Sequence, residues 1–120
     1  MRVMVLVKAT EDSESGRIPN ASELEEMGRF NEELVKAGVL LAADGLHASR
    51  AGKRVRFSGG STAVVDGPFA ETKELVAGFW LWQVSSMEEA VEWLTRAPFR
   101  DNEIEIRRVF EAEDFGDALQ

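Results

Sequence analysis

Asp66, Glu71, Lys73 and Glu74 fall within nine residues, in the run AVVDGPFAETKE. A carboxylate at the end of a strand, partly withdrawn from water, can act as a general base or anchor a ligand. Two carboxylates beside a lysine can also hold a polar substrate or a hard cation such as magnesium. The spacing matches no metal-binding motif, and no metal ligand is assigned. Asp66 has an equally physical second reading. Gly67 precedes Pro68 and is biased to extended angles, Pro68 fixes its own φ, and an Asp carboxylate accepts nearby backbone N–H groups. That accounts for Asp66-Gly67-Pro68 as a turn and leaves Phe69 and the charges after it unexplained.

Other candidates are dispersed. His47 is the only histidine, and imidazole is the side chain suited to proton exchange near neutral pH. It follows Gly45-Leu46, on a loop. Glu105 and Arg107 alternate with Ile104 and Ile106, so they share a strand face, with Lys8 a neighbour on the same side. An ion pair between adjacent strands is the plain account of these charges, and substrate contact is the functional one. The catalytic candidates are therefore Asp66 and His47, and the ligand-binding candidates are Lys8, Glu71, Lys73, Glu105 and Arg107.

The chemistry that is missing narrows the field. The chain has no cysteine and no tyrosine, so thiolate nucleophiles, zinc–thiolate centres, disulfides and tyrosyl chemistry are excluded. No glycine-rich nucleotide loop, nucleophile elbow, zinc-protease or calcium-loop pattern occurs. Any activity is expected to need no cofactor. A net charge of −8 repels phosphate backbones and anionic lipid, so neither nucleic acid nor membrane is expected as a partner. The five-residue apolar run after Arg2 is too short for a signal segment or a bilayer span. We expect a soluble cytoplasmic protein.

These residues need a scaffold. Val3 to Val7 reads as a strand covered on both faces. Ser22 and Glu25 match a capping box, with Leu24, Met27, Phe30, Leu34 and Val35 on one helical face. A strand follows in VLLAADGLH, then a hairpin over residues 53–66 turning at Gly59-Gly60. LVAGFWLWQV is a further strand. Ser86 and Glu89 suggest a second capping box, opening a helix with Met87, Ala90, Val91 and Leu94 as its stripe. The last strand covers residues 103–110. The order is β-α-β, hairpin, β-α-β over residues 1–120, with an acidic tail from about 111. Two helices on one face of a mainly antiparallel sheet make a ferredoxin-like α+β subunit.

Two helices cover only one face of such a sheet. Phe79, Leu81 and Gln83 alternate with Trp80, Trp82 and Val84, so both faces are largely apolar. A bare face carrying the two tryptophans would be a large apolar patch, which monomers rarely expose. A homodimer is expected to cover it, with a polar cleft between subunits for a small polar ligand. The alternative is that hairpin 53–66 folds back over that face.

The run Val64-Val65-Asp66-Gly67-Pro68-Phe69-Ala70-Glu71-Thr72-Lys73-Glu74, with Gly78-Phe79 and the closing Ile104-Glu105-Ile106-Arg107, resembles the YCII-related family, in its DGPF-domain branch. The resemblance runs from Met1 to about Val109. It implies a ferredoxin-like subunit that dimerises sheet to sheet as a dimeric α/β barrel. It also implies a cleft in which relatives hold a His-Asp pair. The setting of His47 does not match that histidine's motif. The expectation is a small homodimer with acid–base chemistry on a small polar molecule, Asp66 as base or anchor and His47 as acid. The alternative is a non-catalytic metabolite-binding or regulatory module.

Overall fold

The computed structural model describes residues 1–119. The chain runs β1 (Arg2–Lys8), α1 (Glu11–Glu14), α2 (Ala21–Lys36), β2 (Leu40–Gly45), β3 (Lys53–Ser58), β4 (Ser61–Asp66), β5 (Val76–Gln83), α3 (Met87–Thr95) and β6 (Ile104–Arg108). The main sheet has the order β2-β5-β1-β6, every pairing antiparallel. With α2 and α3 on one face this is the ferredoxin-like α+β arrangement. The hairpin β3–β4 is inserted between β2 and β5 and forms its own two-stranded sheet.

The core lies under the helices. Phe30 and Leu34 from α2 and Ala90 from α3 meet Val3 and Val5 of β1 and Trp80 and Trp82 of β5. Phe30 and Trp80 pack edge to face at 5.7 Å between ring centroids, and Phe99 closes on the far side of Trp80 at 5.8 Å. Aromatic pairs of this geometry add roughly 0.5–1.5 kcal/mol each to the burial of their surface.

This arrangement corrects the assignment of faces. Trp80 and Trp82 are 4% and 0% exposed, hidden by their own chain, and give no reason to expect a partner. Alternation separates the faces of β5 but cannot say which is inner when both are apolar. Volume decides: the space beneath two helices takes the indoles, and Phe79 and Leu81 are left on the outer face.

The helix starts differ in detail from the sequence expectation. The Asn20 side chain, two residues before Ser22, accepts the Glu23 N–H at 2.9 Å and caps α2. Leu24 and Val35 are exposed, so the buried stripe is narrower than expected. Ser86 does cap α3, accepting from the Glu89 N–H at 3.1 Å, but the Glu89 carboxylate reaches back to the N–H and hydroxyl of Ser85. Those bonds hold the Glu89 carboxyl below the usual range. The loop after β1 contains a one-turn helix, α1, where Thr10 and Ser13 cap each other.

Gly59 and Gly60 take φ of 56° and 84°, the positive angles that close the β3–β4 turn. Both strands of this hairpin are exposed along nearly their whole length, so it does not fold back to bury the sheet's outer face. Beyond β6, Glu111 receives two hydrogen bonds from the Arg2 guanidinium, at 2.9 and 3.2 Å, which tie the acidic tail to β1. Among the described residues no helix is long and apolar enough to cross a membrane.

Candidate ligand site

The outer face of the sheet is apolar at its centre and charged along one side. Met4 lies opposite Leu81 and Leu6 opposite Phe79 across the β1–β5 pair. On the other side of β1, Met4 faces Arg107 and Leu6 faces Glu105. All four apolar residues are partly exposed, and no helix lies over them. Glu105 is the hub of the charges. Lys8 Nζ lies 3.6 Å from one of its carboxylate oxygens, and Arg107 donates to the other at 3.2 Å. The hydrogen bond from Arg107, then the charge of Lys8, hold the Glu105 carboxyl below the usual range. It therefore stays ionised, suited to anchoring a donor-bearing ligand.

Lys8 also borders a second recess of about 360 Å³ together with Thr10, Glu11, Lys73, Asp101 and Glu103. Two ligand-binding candidates far apart in sequence, Lys8 and Lys73, thus meet at one end of the sheet. Glu71 is exposed and precedes the short 3-10 turn Thr72–Glu74 without capping it through its side chain.

The two catalytic candidates are not brought together. Asp66 is exposed and paired with Lys53 across the base of the hairpin. His47 is exposed on the loop after β2, and among the described residues no hydrogen bond joins it to Asp66. The turn after Asp66 instead acts as a strut. The Gly67 N–H donates to the Gly52 carbonyl at 3.0 Å. The Phe69 N–H donates to the Ser49 hydroxyl at 3.1 Å, and Ser49 gives its own N–H and O–H to the Glu14 carboxylate. Phe69 also provides the ring on which the Arg54 guanidinium stacks at 3.8 Å. The hairpin base is thus fixed to the loop after β1, which explains why a phenylalanine follows the Asp-Gly-Pro turn.

A further feature escaped the sequence reading. Val7, Met27, Asn31, Asp44, Trp80 and Phe99 line a cavity of about 340 Å³. Asn31 accepts the Trp80 indole N–H at 2.8 Å. The signal was an asparagine within the apolar stripe of α2, between Met27 and Leu34. Asp44, opposite Phe79 in register, was visible as a carboxylate near the end of β2. Among the described residues no group of three or more His, Cys, Asp or Glu is placed to hold a metal ion.

The fold and this charged sheet face define an α+β subunit of ferredoxin-like topology. The chain belongs to the YCII-related domain family, whose model matches residues 1–113. It is 37% identical over 70 residues to an uncharacterised protein of Rhizobium meliloti (strain 1021), a match spanning 58% of this chain and 56% of that one. Among solved structures it is similar to the 5-chloro-2-hydroxyhydroquinone dehydrochlorinase of Burkholderia phenoliruptrix AC1100, in complex with 2,5-dihydroxybenzoquinone. That similarity has a TM-score of 0.53 at 14% identity and covers 95% of this chain and 98% of the other. At such identity the likeness concerns the fold alone.

Proposed function

We propose that the protein is a cytoplasmic homodimer whose outer sheet faces meet and enclose a cleft for a small polar molecule. One observation carries this reading: the patch of Met4, Leu6, Phe79 and Leu81 lies without a helix over it, beside the Lys8, Glu105 and Arg107 cluster. Apolar centres drive association, and buried charge is stable only when paired or hydrated. A second subunit would cover the former and leave the latter lining a polar cleft. Lys8, Arg107 and Lys73 suit a ligand with anionic or oxo groups, and Glu105 a hydroxyl. The fold neighbour acts on a chlorinated hydroxyhydroquinone and was solved with a dihydroxybenzoquinone, so small hydroxylated rings are the ligand class to try first. Within this reading, the cleft performs acid–base chemistry without a cofactor.

A second reading, a metabolite-binding module without catalysis, draws on the separation of the two catalytic candidates: Asp66 is held by Lys53 and not by His47. Both readings are tested together. Sedimentation over a range of concentrations should give a two-chain mass for wild type, and Leu81→Glu should give folded single chains. Hydroxylated quinones, benzoates and small dicarboxylates should raise the melting temperature of wild type. A ligand at 100 times its Kd adds about 2.7 kcal/mol, and Glu105→Gln should remove that gain. A ligand consumed during incubation supports the enzyme, and one bound unchanged supports the module. A folded wild-type protein of single-chain mass would end the dimer reading.

A further inference from the structure

The hairpin β3–β4 is unusual for how little it contributes to its own subunit. Val55, Phe57 and Val64 are 52%, 81% and 63% exposed. Alternation places all three on one side, since Val55 pairs with Val64 and Phe57 with Thr62. The radius of gyration is 16.9 Å, against about 14 Å for a compact domain of this length. The hairpin also has its own charge. Lys53, Arg54 and Arg56 against Asp66 give +2, so the rest of the chain carries −10 of the total −8. Its base is nonetheless fixed by the Gly67, Ser49 and Glu14 bonds. A rigidly mounted, basic, apolar-faced projection on an acidic protein has the character of an arm.

A matching recess exists on the same chain. Met87, Val91, Leu94, Phe99, Ile104 and Ile106 line a groove of about 540 Å³ between α3 and β6. Val91 is 49% exposed within it. Its helix wall carries Glu88, Glu89 and Glu92 and no basic residue, with Glu88 and Glu92 exposed.

We propose that the arm docks on a second copy of this chain, with Phe57 entering the α3–β6 groove and the net positive charge of the arm drawn toward the acidic helix. The proposal rests on the homodimer reading and adds the contact that completes it. The four-stranded face spans about 19 Å by about 20 Å, from strand spacing and rise, a footprint of about 400 Å² before side-chain relief. A stable interface buries about 800 Å² of accessible surface per partner, and a docked arm would add to what the sheet face supplies. Geometry favours the assignment too. β2 and β6 are the two edges of the sheet. When two such sheets stack about an axis parallel to the strands, β2 of one subunit overlies β6 of its partner. The arm follows β2, and the groove lies behind β6.

The chain has no native cysteine, so engineered pairs report cleanly. In the double variant Phe57→Cys with Val91→Cys, mild oxidation should give a covalent dimer on a non-reducing gel, while each single variant runs as one chain. Phe57→Glu removes an anchor from each of the two arms and should weaken the dimer by about a hundred-fold or more, about ten-fold for each anchor, and the dimer should loosen as salt rises. A sedimenting dimer that never cross-links would overturn the arm and leave the sheet-face dimer standing. So would a link within one chain, which places the arm on its own groove, or a covalent dimer from Phe57→Cys alone, which sets arm against arm. A monomeric wild type would remove both proposals.

Discussion

Gly67→Ala tests whether the Asp-Gly-Pro-Phe turn is a strut. A Cβ at Gly67 would lie 1.7 Å from the Ser49 carbonyl oxygen and 2.6 Å from its carbon. Ordinary contact needs roughly 3.5 Å, so the two segments must part by roughly 2 Å. That separation breaks the Gly67 N–H bond to Gly52 and the Phe69 N–H bond to Ser49, and draws Phe69 from under Arg54. Two hydrogen bonds at about 1 kcal/mol each and an exposed cation–π contact of about 0.5–1 kcal/mol sum to about 2–3 kcal/mol. The hairpin forms its own sheet, so most of this loss should be local. Hydrogen exchange of the Gly67 and Phe69 amides should quicken by roughly 30- to 150-fold, the equivalent of that energy. If all of it reached global stability, the melt would fall by roughly 6–15 °C for a chain of this length, and the observed fall should be smaller. Gly28→Ala is the control. Its Cβ meets nothing within 4 Å on α2, and it should stabilise by about 0.5–1 kcal/mol. Unchanged exchange at Gly67 and Phe69, with an unchanged melt, would refute the strut.

Two further expectations follow from the core and the tail. Leu34 is fully buried in the cluster with Phe30 and Trp82, so Leu34→Ala should cost about 2–5 kcal/mol in urea unfolding. Hydrogen bonding and charge from Arg2 hold the Glu111 carboxyl below the usual range. Its contribution is therefore complete above the unfolded carboxylate pKa of about 4.3 and fades as pH falls through the lower folded value. Glu111→Gln should be less stable than wild type at neutral pH, and the two urea midpoints should converge in acid. Parallel curves would remove this assignment.

Much of the framework was legible because side-chain period is local. β1 and β5 follow from short continuous apolar runs and β6 from alternation, and Gly59-Gly60 announces a turn whose angles few other residues adopt. Glu105, Arg107 and Lys8 fall together for the same reason. Which face of β5 is inner was not legible, since Phe79 and Leu81 are as apolar as their neighbours and only the volume under the helices distinguishes them. Ser22 looked like a cap because Glu25 lies three residues on, yet Asn20 offers its carbonyl to the same turn earlier. The meeting of Lys8 with Lys73, and of Glu14 with Ser49 and Phe69, depends on how loops cross in space, and no local pattern encodes that.

The neighbouring indoles have an optical consequence. Trp80 and Trp82 lie 5.6 Å apart with their planes at 41°, close enough for their excited states to couple, and both are shielded from water. The protein thus carries a built-in chromophore pair that should give a near-ultraviolet dichroic couplet and short-wavelength emission while α2 stays seated. Both signals would vanish together if that helix lifted, without any dye or label.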